Sequence, residues 1–142
     1  MVTGTGREVL VGVDGSDASR EALRAGARIA RGLGVPLVAV MCWEGPRIYE
    51  GWQAVDPGRP PAGTEERLRS AVADTFGAEL PERFGARLVH GRPAARLVEE
   101  SRDAALLVLG RRGHGGMPGA GLGSVSRACV AHAGCPVLVV TH

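Results

Sequence analysis

Apolar residues in this chain fall into five short, nearly unbroken runs: Val9–Val13, Leu37–Cys42, Ala86–Val89, Leu106–Leu109 and Val137–Val140. Such runs, rich in valine and leucine and lacking an alternating polar face, suit strands covered on both sides. Between them lie stretches with a helical repeat, predicting helices at about 17–33, 64–80, 93–103 and 124–133. In the first of these, Ala22, Leu23, Gly26, Ala27, Ile29, Ala30 and Leu33 share one stripe, and Arg20, Arg24, Arg28 and Arg31 line the opposite one. Thr64 is placed to cap the second helix, with Glu65 and Glu66 in its first turn. Pro93 suits the first turn of the third, and Gly134 with Pro136 ends the fourth.

Strict alternation of strand and helix predicts a single α/β domain over residues 1–142, built on a doubly wound parallel sheet. Two strands differ in character. Ala86–His90 carries polar residues, as an edge strand tolerates, whereas Val137, Leu138, Val139 and Val140 are wholly apolar. An apolar strand left at an edge invites pairing with another chain, so a homodimer through this last strand is expected. Residues 1–7 read as a flexible start. Glu44–Gly63 holds prolines 46, 57, 60 and 61 and glycines 45, 51, 58 and 63, with Tyr49 and Trp52 among them. It reads either as a mobile lid or interaction loop, or as a disordered connection.

Composition removes several function classes. All seventeen basic residues are arginine. Without lysine there can be no Walker-A loop, protein-kinase site or Schiff base. No G-x-S-x-G elbow occurs, and Gly119-Ala-Gly121-Leu-Gly123 is not a dinucleotide fingerprint. A net charge of +2 and an arginine stripe without interleaved aromatics argue against nucleic-acid binding. Neither a signal peptide nor a membrane span is visible, and three cysteines (42, 129 and 135) without a C-x-x-C pair suggest reduced thiols and a cytoplasmic location.

The most informative chemistry lies after the fourth apolar run: Gly110-Arg111-Arg112-Gly113, nine further residues, then Gly123-Ser124 at a predicted helix start. Glycines let backbone N–H groups approach phosphate oxygens, and a helix N-terminus adds unpaired donors and a positive dipole end. A phosphate-bearing ligand, most simply a nucleotide, is therefore expected. Ser124 and Ser126 read either as helix-cap residues or as phosphate donors, and Arg111 and Arg112 as solvated or as phosphate partners. His114 has no partner spacing for a metal and reads as a loop histidine. In a doubly wound sheet, ligands sit beyond the carboxyl ends of strands where the strand order reverses. That would gather Asp14 and Met41-Cys42-Trp43 beside the glycine loop, with Asp14 either bonding a nucleoside or turning the chain into the first helix.

Gly110-x2-Gly113-x9-Gly123-Ser124 resembles the nucleotide-binding signature of the universal stress protein family. Val9-Leu10-Val11-Gly12-Val13-Asp14-Gly15-Ser16, Gly91-x-Pro93 and Cys135-Pro136-Val137-Leu138-Val139-Val140 are also similar, so the resemblance spans residues 8–141. It implies a five-stranded parallel sheet in the order 3-2-1-4-5 with helices on both faces, and homodimers joined through the last strand. It also implies ATP binding, with Mg2+ or Mn2+ held on the phosphates and no metal ligands from protein side chains. By position, Gly12, Val13 and Asp14 would meet the adenosine, and Cys42 would offer its backbone to the adenine. Leu109, Gly110, Arg112 and Gly113 would wrap the ribose and phosphates, and Gly123, Ser124, Val125 and Ser126 would hold the phosphate tail. Cysteine at position 42, where small aliphatic residues are common, makes the pocket redox-sensitive if its thiol is exposed.

These readings favour an ATP-binding stress-response protein that senses or regulates through an unknown protein partner, with no catalytic residues. A slow ATPase, a phosphotransfer protein labelling its own Ser124 or Ser126, and a nucleotide-free dimeric scaffold are the alternatives.

Overall fold

The structure, a computed structural model, describes residues 7–45, 59–111 and 121–141. Strands and helices alternate throughout: β1 (Val9–Gly12), α1 (Asp17–Leu33), β2 (Leu37–Trp43), α2 (Thr64–Phe76), β3 (Phe84–His90), α3 (Pro93–Glu100), β4 (Leu106–Gly110), α4 (Ser124–His132) and β5 (Val137–Val140). All four strand pairings are parallel, and the order across the sheet is β3-β2-β1-β4-β5.

Each apolar run is continuous because the sheet is buried on both sides. Val9 and Val11 of β1 point to one face, where Leu23 of α1 and Leu68 of α2 complete a core with Leu37 and Met41. Leu10 points to the other, into a core with Val38, Val40, Leu97 of α3, Leu107, Leu109 and Cys129 of α4. Burying each of these larger side chains contributes roughly 1.5–3 kcal/mol, before chain entropy is subtracted. The outer strands are β3 and β5. On β3, Arg87 reaches Glu100 of α3 at 2.8 Å, while β5 leaves Leu138 36% exposed.

Several boundaries differ from the sequence reading, each for a local reason. Thr64 does not cap α2. Gly63 takes the cap position with a left-handed φ of 91°, no side chain caps that end, and Thr64 is buried in the first turn. The same helix stops at Phe76, where the Gly77 N–H closes the last turn on the Ala73 carbonyl at 2.8 Å. α3 ends at Glu100 and passes into a single 3-10 turn, Ser101–Asp103. β2 and β3 both run further than predicted, since Trp43 pairs with His90. The Glu44–Gly63 loop reading falls largely on residues 46–58, which lie outside the described residues, as do residues 1–6 of the expected flexible start.

α1 approaches the sheet more closely than side chains normally allow. A Cβ on Gly26 would lie 2.6 Å from Val11 Cγ2. One on Gly110 would lie 2.6 Å from the Ala18 Cβ and 2.9 Å from the Ala18 carbonyl carbon and oxygen, so backbone as well as side chain blocks it. Glycine is therefore required at Gly110 for packing, because α1 crosses the end of β4 there. Gly110→Ala is expected to destabilise the fold by about 1–3 kcal/mol through overpacking, read as a lowered urea midpoint at unchanged m. An unaltered midpoint would mean that α1 can move away freely.

Candidate nucleotide-binding site

The carboxyl ends of β1 and β4 lie side by side, and the chain leaves them in opposite directions, toward β2 and toward β5. This divergence opens a notch. The two helices that start beside it are finished differently.

At the β1 end, Gly15 adopts a φ of 87° and turns the chain into α1. The Asp14 Oδ1 accepts the Ser16 N–H at 2.9 Å, and the Ser16 Oγ accepts the Ser19 N–H at 3.2 Å. Side chains from the preceding turn thus satisfy this helix end. At the β4 end, the N-cap of α4 is Gly123, and among the described residues no side chain caps it. Two other bonds fix it in place: the Gly123 N–H donates to the Arg111 carbonyl at 2.9 Å, and the Ser126 Oγ donates to the Gly110 carbonyl at 2.7 Å. The first bond draws together the two ends of the glycine loop; the second clamps the helix to the strand. Helical geometry leaves the first-turn N–H groups of Ser124, Val125 and Ser126 without intrahelical acceptors, at the positive end of the helix dipole.

β2 supplies the third wall. Its last pairing with β1 is Val40 with Gly12, extended by one bond from the Val13 N–H to the Val40 carbonyl at 2.9 Å. Beyond that point β2 still pairs with β3, and the Trp43 carbonyl accepts the Gly91 N–H at 2.8 Å. Backbone groups of successive residues face opposite neighbours, so Cys42 turns its own toward the side that β1 has vacated. At the end of the β2–β3 pair the Trp43 and His90 rings stack, with centroids 4.1 Å apart and planes 10° from parallel.

Most of the predicted residues thus sit around one notch. Gly12 and Val13 end β1, with Val13 buried; Leu109 is buried one residue before Gly110; Ser124 is exposed and Val125 half-buried in the first turn of α4. A Cβ on Gly12 would meet Leu109 Cδ2 at 2.6 Å and Leu97 Cδ1 at 3.1 Å, so the end of β1 packs directly on the second core. Arg112, Gly113 and His114 lie outside the described residues. Ser126 is buried, and its hydroxyl is a clasp on β4, leaving its backbone N–H as the group turned to the helix end. Ala18 and the Trp43–His90 stack were not found from sequence. The first has no local signal, and the second depends on strand register.

The Cys42 thiol is half-buried, and burial pushes its pKa from 9.0 up to about 11, opposed in part by the Arg96 guanidinium and reinforced by Glu100. The shift disfavours the thiolate, the reactive form. Because the folded-state value is the raised one, the stability this thiol contributes is complete below pH 9 and is lost as pH rises through about 11.

The sequence model of the universal stress protein family matches residues 6–141. The chain belongs to that family. A universal stress protein of Mycobacterium tuberculosis is 35% identical over 136 residues, covering 92% of this chain and 44% of its own length. One from Mycolicibacterium smegmatis is 38% identical over 143 residues, covering 93% and 45%. This chain therefore spans a little under half the length of the curated relatives it matches. Among solved structures, a universal stress protein in complex with cAMP is 29% identical with a TM-score of 0.69, covering 95% of this chain and 96% of its own. A universal stress protein from Archaeoglobus fulgidus in complex with dAMP is 26% identical with a TM-score of 0.68, covering 95% and 98%.

Alkylation of Cys42 by iodoacetamide at pH 8, followed by mass spectrometry of the peptide, should run about 100-fold slower than for a free cysteine peptide, from the thiolate fraction alone. Labelling at the free-cysteine rate would show that the thiol is ionised or unshielded.

Proposed function

We propose that this chain binds ATP in the notch between β1, β2 and β4 and acts as a nucleotide-dependent regulator in the stress response, through contacts with a protein partner. The observation that carries this reading is the contrast between the two helix ends. α1 is capped by Ser16, whereas among the described residues α4 has no side-chain cap and is clamped to the strand end with its first-turn donors open. That is the arrangement an oxyanion requires. The neighbours crystallised with cAMP and dAMP support an adenine nucleotide as the occupant.

In this reading Gly12, Val13, Asp14 and the Cys42 backbone take the adenosine. Leu109, Gly110, Arg112 and Gly113 wrap the ribose and the nearer phosphates, and Gly123, Ser124, Val125 and Ser126 take the phosphate tail. Among the described residues, no cluster of three or more His, Cys, Asp or Glu could hold a metal ion. In this reading Mg2+ or Mn2+ is held through phosphate oxygens, where it screens their mutual repulsion.

Asp14 follows the end of β1 beside this notch, and its Oδ1 already accepts the Ser16 N–H. That favours a binding role over a general base, and a bound nucleotide turned over slowly if at all. A second copy covers the exposed apolar edge of β5 in the proposed homodimer. The proposed setting is cytoplasmic, and neither nucleic acid nor a membrane is a partner; no helix among the described residues is long and apolar enough to cross a membrane.

Denaturing the freshly purified protein and identifying released nucleotide by chromatography and mass should give ATP approaching one per chain. Calorimetric titration of the emptied protein should then show Asp14→Asn binding ATP about tenfold more weakly, a loss of about 1.4 kcal/mol. No retained nucleotide together with no heat of binding at millimolar ATP would overturn the proposal. For the dimer, Val139→Arg should give monomers by light scattering, and an unchanged dimer would rule out pairing through β5.

A further inference from the structure

The arginine stripe of α1 does not behave as one solvated face. Arg20 pairs with Asp17 and also donates to the Gly15 carbonyl at 2.8 Å, and Arg24 pairs with Glu21. Each has its acid three residues earlier on the helix. Arg28 and Arg31 have none: the positions three and four residues to either side hold Arg24, Ala25, Ala27, Arg28, Arg31, Gly32, Gly34 and Val35. Among the described residues neither one makes an ion pair.

Both line a cleft of about 510 Å³ at the amino ends of the strands, between the last turns of α1 and α2 and at the opposite end of the sheet from the nucleotide notch. That volume is in the range of small-molecule sites. Ala30, Val35, Leu37 and Phe76 make its apolar side. Arg83 forms part of its wall with a φ of 58°, a left-handed backbone that non-glycine residues rarely adopt. Its Nη1 donates to the Gly34 carbonyl at 2.9 Å, which covers the negative end of the α1 dipole. The lining then holds three arginines, Arg28, Arg31 and Arg83, against two glutamates, Glu79 and Glu82, so the cleft carries a formal excess of one positive charge. All five side chains are exposed and screened alike, and among the described residues neither glutamate makes an ion pair with these arginines.

We propose that this cleft binds an amphipathic organic anion, its apolar body against Phe76 and Val35 and its carboxylate or sulfonate between Arg28 and Arg31. The site is independent of the ATP reading, because the two lie at opposite ends of the sheet.

The probe is anilinonaphthalenesulfonate, titrated into the whole chain and followed by fluorescence. Saturable one-to-one binding is expected, weakened about tenfold or more in the Arg28→Glu, Arg31→Glu double variant and tightened several-fold in Glu79→Gln, Glu82→Gln. Circular dichroism and the urea midpoint of each variant report that the fold is intact; if the double glutamate variant unfolds, Arg28→Gln with Arg31→Gln gives the same reading. The uncharged analogue phenylnaphthylamine should bind at least tenfold more weakly, and excess ATP should leave the sulfonate bound. Equal affinity in the arginine variants, equal binding of the neutral analogue, displacement by ATP, or no saturable signal would each overturn the proposal.

Discussion

The contact on which the rest of the architecture depends is the approach of the α1 backbone to Gly110. No Cβ fits between Ala18 and the end of β4, so the first helix and the fourth strand meet backbone against backbone. Gly110 also pairs with Val140 of β5, and its carbonyl accepts the Ser126 hydroxyl from α4. A single residue without a side chain thereby joins the opening β-α unit to the closing one. Packing in protein interiors leaves little slack, and so this junction fixes where the start of α1 sits over the ends of β1 and β4, beside the point where the chain leaves them in opposite directions.

Electrostatics then distinguishes the ends of the elements. At its start α1 has one donor met by the Ser16 hydroxyl, and at its end the Gly34 carbonyl is met by Arg83. α4 begins with a glycine cap and, among the described residues, no side-chain acceptor. Of the two helices that start beside the notch, α4 is therefore the one whose dipole remains available to a ligand. The same logic separates the arginines of α1. Those near the amino end are matched by acids one turn earlier, and those near the carboxyl end stand over an apolar cleft.

The thiols occupy the α3/α4 side of the sheet. Cys129 is fully buried and Cys42 half-buried, and burial raises both pKa values to about 11. They act as small apolar groups in the second core, with Cys135 packed against it. At position 42 the group turned to the notch is the backbone, which is indifferent to the identity of the side chain. That accounts for how cysteine can stand where a small aliphatic residue would serve.

Strand and helix order and the parallel sheet were legible in the chain, because covered strands require unbroken apolar runs and the amphipathic helices between them repeat on a different period. The glycine spacing and the Val13-Asp14-Gly15-Ser16 turn also pointed to one end of the sheet. Register, close approach and capping were not legible, since each depends on residues far apart in sequence. Nothing local couples Trp43 to His90, Ala18 to Gly110 or Ser126 to the Gly110 carbonyl. Thr64 has the right chemistry for a cap, yet Gly63 takes that position because its left-handed backbone turns the chain one residue earlier. The sequence alone determined which segments become strands and helices, through short-range periodicity. Only the tertiary structure decided which helix end stays open and which arginines stay unpaired, because both depend on what the folded chain brings within hydrogen-bonding distance.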